Sequence, residues 1–214
     1  RLGDGDDAEM PDFGPLAITV PGAARGWEHT VEEHGRLAFD EVLQPAIEYA
    51  TEGYPVSEII ADAWAACAQR FVGDAGREAY LPGGEAPDVG QTVTLPGLGE
   101  TFETVAREGA DAFYEGAIAE QIGDAVQAEG GLLSADDLAG FTPDVVDPVS
   151  TTYDGATVYE LPPNNQGLIA LEALNVAAEL GAGDHPAGSP ERVHYFAEAM
   201  KRAFHDGHHY ITDP

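Results

Sequence analysis

The chain has 214 residues, enough for one good-sized domain or two small ones, and 43% of its residues are apolar, enough for a hydrophobic core. Its 39 acidic residues against 9 basic ones give a formal net charge of -30, and Lys201 is its single lysine. This balance argues against nucleic-acid binding, which needs clustered lysine and arginine to neutralise phosphates.

The acidity of the chain has two interpretations. One is adaptation to molar salt, where the Debye length falls to about 3 Å and repulsion between surface carboxylates is screened. The other is an acidic patch for a basic partner or for Ca²⁺. Such a patch concentrates its charge in blocks, whereas the acids here are scattered apart from the run "DGDDAE" at the start. Salt adaptation is therefore the favoured interpretation.

The first third of the chain predicts an extended lead followed by three helices. "LAITVPG" alternates apolar and polar residues and then breaks at its Pro-Gly pair. Apolar residues at helical spacing predict helices over 23–34, over 40–53 and after Ser57, which is the expected N-cap. The third helix carries Cys67 on its apolar side, where a small buried hydrophobe is favoured over a nucleophile.

The remainder predicts more helices and one hairpin. The segment 73–99 is rich in Gly and Pro and predicts a surface loop and an extended piece. "ETFETVAREG" and "AIAEQIGDAVQAEGG" predict helices, and Ser134 with Asp137 predicts a capped short turn. "PVSTTY" and "ATVYEL", separated by "DG", predict a β-hairpin. Two further helices are expected over 166–180 and 190–210.

This pattern indicates a mostly helical α+β chain with a few strands. A two-stranded hairpin is marginal in water, so the strands are expected to need partners, which can lie outside this chain. One cysteine excludes an intrachain disulfide. No run reaches the length of a membrane span, and the start has neither an apolar leader nor a methionine. We therefore expect the chain to begin inside a longer gene product, and its compartment stays open.

The stretch "HDGHHYITDP" is the strongest local candidate for a metal site. On a helix, His205, His208 and His209 stand at i, i+3 and i+4, and Asp206 or Asp213 could add an oxygen ligand. However, the helix ends here, and cationic groups are favoured beside its last carbonyls. In a chain with one lysine, a solvated cationic helix end is the favoured interpretation.

The stretch "ELPPNNQGL" predicts a strand-to-helix corner. Two prolines favour an extended exit from the strand, the asparagines supply N-cap oxygens, and Gly167 permits close backbone approach. A wall of a substrate cleft is the alternative, because free N–H groups at a helix start attract carboxylates. The sequence contains no G-x-S-x-G, Walker, C-x-x-C or H-E-x-x-H motif.

Six stretches, in order, resemble the γ-glutamyltranspeptidases and their acylase-like relatives. They run from about Pro15 to the last residue: "ITVPGAARGW", "HGRLAFDEVLQPAIEYATEGYPV", "FYEGAIAEQI", "GGLLSADDLAGF", "YDGATVYELPPNNQG" and "AEAMKRAFHDGHHYITDP". "PPNNQG" in place of a PPSSGG-like form leans toward the acylase-like branch.

The resemblance implies an N-terminal nucleophile hydrolase of the αββα fold. Such enzymes are made as one precursor that cuts itself to expose a threonine. That threonine attacks the γ-amide of glutathione or a related amide and passes the glutamyl group to water or to an amino acid. Residues 1–214 would be the central, mainly helical part of the large subunit, with strands that belong to the parent sheet.

The resemblance carries no catalytic, substrate-binding or metal-binding residue onto this chain, and it implies no cofactor. The nucleophile belongs to a downstream T-T-H-x-S-V-like motif, and Arg1 does not match the upstream arginine that grips the substrate. Thr151 and Thr152 are followed by Tyr153 and Asp154, so strand roles are expected. The partners implied are the N- and C-terminal portions of the precursor and a small γ-glutamyl or amide substrate, with no nucleic acid and no membrane.

The resemblance also bears on the histidines. The family has arginines where this chain has His208 and Gly207, which favours a cationic helix end; whether His205, His208 and His209 bind any ion stays open. A different class of function is a stand-alone acidic helical module that binds divalent cations or a protein. The first hypothesis predicts a scaffold that is inactive alone, and the second predicts saturable cation binding.

Overall fold

The computed structural model describes residues 11–71 and 73–212, and these fold as a mostly helical α+β chain with short strands. The chain divides into two compact units, the first ending at Pro143 and the second beginning at Asp144. Across the described residues, the longest and most apolar helices still fall short of what a membrane crossing requires.

The described part of the first unit contains eight α-helices and one antiparallel pair of short strands. The strands are β1 (Tyr54–Pro55) and β2 (Thr92–Val93), with Tyr54 opposite Val93. The helices are α1 (Ala23–His34), α2 (Phe39–Glu52), α3 (Glu58–Cys67), α4 (Asp74–Tyr80), α5 (Pro96–Glu108), α6 (Asp111–Tyr114), α7 (Ala117–Ala128) and α8 (Ala135–Ala139).

The helix starts in this unit follow from local capping. The Ser57 Oγ accepts a hydrogen bond from the Ile60 N–H at the start of α3, as predicted. At α8, Ser134 and Asp137 exchange side-chain and backbone hydrogen bonds in a reciprocal capping box. The predicted bounds of α1 are also confirmed.

Tyr114 anchors the Pro-Gly turn at the start of α1 to α6. Its ring is fully buried, and its hydroxyl donates to the Pro21 carbonyl at 2.6 Å. The Arg25 guanidinium lies over the ring, 4.4 Å from the centroid, and contacts Asp111 Oδ1 at 2.8 Å. A second core joins α2 to α5 through Leu43, Ile47 and Val105.

The second unit is a hairpin packed on two helices. Strands β3 (Val149–Tyr153) and β4 (Ala156–Glu160) pair antiparallel, followed by α9 (Gly167–Glu179) and α10 (Pro190–Tyr210). Asp154 and Gly155 form the turn with φ of 48° and 79°, so the "DG" prediction is confirmed.

Small residues bring α9 and α10 close together. Ala173, Ala177, Ala199 and Ala203 are all buried. Gly207 belongs to the same contact, because a Cβ there would lie 2.5 Å from Ile169 Cδ1. Gly207 therefore does not end α10, which continues to Tyr210 as predicted.

Two segments differ from the sequence prediction. In the Gly- and Pro-rich segment 73–99 the seven-residue helix α4 was not predicted, whereas β2 lies in "QTVTLPG" and confirms the extended piece expected there. The alternating lead begins with a 3₁₀ turn, Pro15–Ala17, and only then becomes extended. Both elements are too short for side-chain periodicity to reveal them.

Candidate functional site

The histidines at the end of α10 form a pair and a single residue. All three side chains are exposed. The rings of His205 and His209 have centroids 4.4 Å apart, and His209 Nδ1 lies 2.7 Å from the His205 backbone oxygen. His208 instead lies beside Phe204, with ring centroids 6.0 Å apart.

The three-ligand metal site considered from the sequence is not formed among the described residues. Across 11–71 and 73–212, no three His, Cys, Asp or Glu side chains are grouped to hold a metal ion. Asp206 is engaged with Glu172 of α9. Asp213, the other oxygen ligand considered from the sequence, lies outside the described residues.

Glu172 and Asp206 form a carboxyl pair between α9 and α10. Burial, a hydrogen bond with Asp206 and the negative charge of Asp206, in that order, raise the pKa of Glu172 above its ordinary value of 4.5. A hydrogen bond between two carboxyl groups needs one proton, so the protonated form of Glu172 is stabilised. No local pattern in the sequence indicates this pair, because the contact depends on how α9 and α10 pack.

The corner between β4 and α9 is built from its own side chains. Asn165 Oδ1 accepts a hydrogen bond from the Gly167 N–H at 2.9 Å, although the N-cap residue itself is Gln166. A Cβ at Gly167 would lie 2.5 Å from Glu160 Oε2. The Glu160 carboxylate therefore lies beside the first turn of α9, where a substrate carboxylate would be repelled. This arrangement favours the corner over a cleft wall.

The Thr151 hydroxyl and the Cys67 thiol, the two candidate nucleophiles, lie in surroundings that indicate structural roles. Thr151 Oγ1 donates to Asn175 Oδ1 at 2.5 Å, which ties β3 to α9; an amide oxygen cannot act as a general base. Cys67 is half-buried and lines an apolar groove of about 370 Å³ with Trp64, Phe71 and Tyr80. The strand role predicted for Thr151 is confirmed.

Comparison with known proteins relates the whole arrangement to one family. The family model for gamma-glutamyltranspeptidase matches residues 3–214. The chain belongs to the gamma-glutamyltranspeptidase family. Its mostly helical fold agrees with the resemblance seen in the sequence, and the stretches that carry the resemblance include the "VPG" turn that Tyr114 anchors and the corner before α9.

Relatives in this family include both hydrolases and acylases. The glutathione hydrolase-like YwrD proenzyme of Bacillus subtilis is 34% identical over 92% of this chain and 38% of its own length. The glutathione hydrolase proenzyme of Escherichia coli is 31% identical, over 98% of this chain and 37% of its own length. The crystal structure of cephalosporin acylase from Bacillus halodurans matches with a TM-score of 0.87 and 37% identity, over 96% of this chain and 39% of that one.

The aligned fractions show how much of each relative corresponds to this chain. The chain spans less than two fifths of the length of the two curated relatives, which are both named as proenzymes. The match therefore extends along nearly all of this chain and a minor part of each relative.

Proposed function

We propose that residues 1–214 are the central, mainly helical part of the large subunit of a γ-glutamyltransferase precursor. The observation that carries this proposal is the family match over residues 3–214 combined with the small share of the relatives that the chain covers. In this proposal the rest of the precursor lies on either side and is the chain's principal partner.

The activity proposed for the whole precursor is cleavage of γ-glutamyl amides such as glutathione. A threonine outside this chain would attack the amide carbon, release the amine and hold the glutamyl group as an ester until water or an amino acid accepts it. In this proposal the chain itself contributes structural elements and no catalytic group. Its hairpin would add β3 and β4 to the αββα parent sheet, and the Thr151–Asn175 contact would hold α9 against that sheet.

The test compares this chain with the whole gene product. The purified chain is expected to show no turnover of γ-glutamyl-p-nitroanilide, whereas the whole product is expected to cleave itself and then turn the substrate over. The matched control is the whole product with its self-processing threonine changed to alanine, which should stay uncut and inactive. Turnover by the purified chain would overturn the assignment of all chemistry to other parts of the precursor.

A related acylase or amidohydrolase is the second candidate. The solved cephalosporin acylase is 37% identical to this chain over 96% of the chain's length. The sequence "PPNNQG" at the corner between β4 and α9 also favours the acylase-like branch of the family. Assaying the processed gene product on γ-glutamyl-p-nitroanilide and on an acylated cephalosporin separates the two, because a true transpeptidase prefers the first substrate.

Salt adaptation is proposed as a property of the same protein. The formal net charge is -30. Among the described residues, ion pairs engage only four carboxylates, namely Asp111, Glu115, Glu108 and Glu198. Most of the negative charge is therefore balanced by solvent cations rather than by side chains, and its repulsion depends on ionic strength.

A further inference from the structure

The exposed face of the last turns of α10 holds two imidazole rings in contact. His205 and His209 stand one helical turn apart, with ring centroids 4.4 Å apart and ring planes inclined by 41°. Ala203 and Gly207 on the same helix are buried, and Gly207 packs on Ile169 of α9. The two rings therefore face solvent while the backbone that carries them is fixed.

The tautomer of His209 follows from its hydrogen bond. Its Nδ1 lies 2.7 Å from the His205 backbone oxygen. A carbonyl oxygen only accepts, so Nδ1 carries the hydrogen, and in the neutral ring Nε2 is then the nitrogen with the lone pair. Histidines that bind metals are commonly held in this way, with one ring nitrogen donating to a carbonyl and the other free to coordinate.

The separation of the rings suits a particular coordination geometry. Imidazole nitrogens bind first-row metals at about 2.0–2.1 Å. Two rings bound at about 90° to each other then have centroids about 4.5 Å apart, and at a tetrahedral angle about 5.2 Å apart. The observed separation is 4.4 Å, which fits the right-angled arrangement. Cu(II) and Ni(II) favour square or tetragonal nitrogen ligation.

We propose that His205 and His209 form a two-histidine site for Cu(II) or Ni(II) on the exposed face of α10. Water would complete the coordination. The chain's negative charge raises the local concentration of cations at its surface. This site replaces the three-ligand zinc arrangement considered from the sequence, since His208 lies apart beside Phe204.

The test is calorimetric titration of the untagged chain with copper(II) or nickel(II) chloride. The variants H205A and H209A each remove one member of the pair and are expected to weaken binding at least about tenfold. H208A is the matched control, because it removes a neighbouring exposed histidine outside the pair and should leave the affinity within about twofold. Full affinity in either pair variant, or an equal loss in H208A, would overturn the site.

A second measurement does not depend on the folding of variants. In the unaltered chain, trace Cu(II) is expected to broaden the ring-proton NMR signals of His205 and His209 before those of the other histidines. Broadening that begins at another histidine would contradict the proposal. Circular dichroism of the metal-free variants checks that α10 is intact.

Discussion

The carboxyl groups of Glu172 and Asp206 meet between α9 and α10, and this contact raises the pKa of Glu172 mainly through burial. Because the folded chain holds this proton more tightly than the unfolded chain, protonated Glu172 favours folding. That contribution is fully present below the ordinary value of 4.5 and is lost as the pH rises through the raised pKa.

Replacing Glu172 by glutamine, its neutral analogue, should remove this dependence of stability on pH. E172Q keeps a hydrogen-bond donor toward Asp206 without the charge. We expect it to raise the free energy of unfolding at pH 7 by roughly 0.2–1 kcal/mol, the scale of partly exposed charge interactions, and to change it little near pH 4. Urea unfolding at both pH values measures the difference.

The control for this prediction is E179Q, which removes the same charge from an exposed position of α9. Any general benefit of reducing the negative charge appears in both variants, so only the excess in E172Q reports the pair. An equal effect of the two variants at pH 7 would contradict the role given to Asp206.

At the scale of elements, Gly207 determines how closely α9 and α10 pack. It is buried in the middle of the last turns of α10, and the Ile169 side chain occupies the space that a Cβ would need. Glycine costs a helix about 1 kcal/mol relative to alanine, so its presence here is explained by the contact and not by the helix.

Two glycine-to-alanine substitutions separate the effect of helix propensity from the effect of packing between helices. In G26A, the added methyl group meets nothing within 4 Å inside α1, so we expect a gain of about 0.5–1 kcal/mol in the free energy of unfolding. In G207A, overpacking against Ile169 should outweigh that gain and destabilise the chain by about 1–3 kcal/mol. Thermal and urea unfolding test both, and stabilisation by G207A would show that the helices can separate without cost.

Patterns among neighbouring residues predicted most of the helices and the hairpin. Contacts between residues far apart in the chain were not predicted. The bounds of α1 follow from the spacing of apolar residues, and the start of α10 follows from Ser189, whose Oγ caps the helix by accepting a hydrogen bond from the Arg192 N–H. The pairing of β1 with β2 and the meeting of Glu172 with Asp206 depend on residues far apart in the chain. At the histidine cluster, the sequence placed three rings on one face, whereas the structure brings two into contact.

At the scale of the whole molecule, the net charge of -30 makes stability a function of ionic strength. Surface carboxylates repel one another in the compact state more than in the expanded chain. The Debye length falls from about 30 Å at 0.01 M to about 3 Å at 1 M salt, so this repulsion is largely removed over that range.

The expected result is a melting temperature that rises by about 5 °C or more between 0.01 M and 1 M KCl. Differential scanning calorimetry measures it. Sucrose at matched osmolality is the control, since it is excluded from the surface but screens no charge. A melting temperature that responds equally to both solutes, or falls in KCl, would contradict salt adaptation.

The hairpin of the second unit has a consequence for handling the isolated chain. Within the described residues, β3 and β4 form a sheet of two strands, so each leaves one row of backbone N–H and C=O groups without a ladder partner. Such rows are templates on which copies of the chain can join strand to strand. Mutual repulsion holds the copies apart in dilute buffer, and concentrated electrolyte weakens that barrier. The solutions that favour folding are therefore also those in which fibrous self-assembly is least hindered.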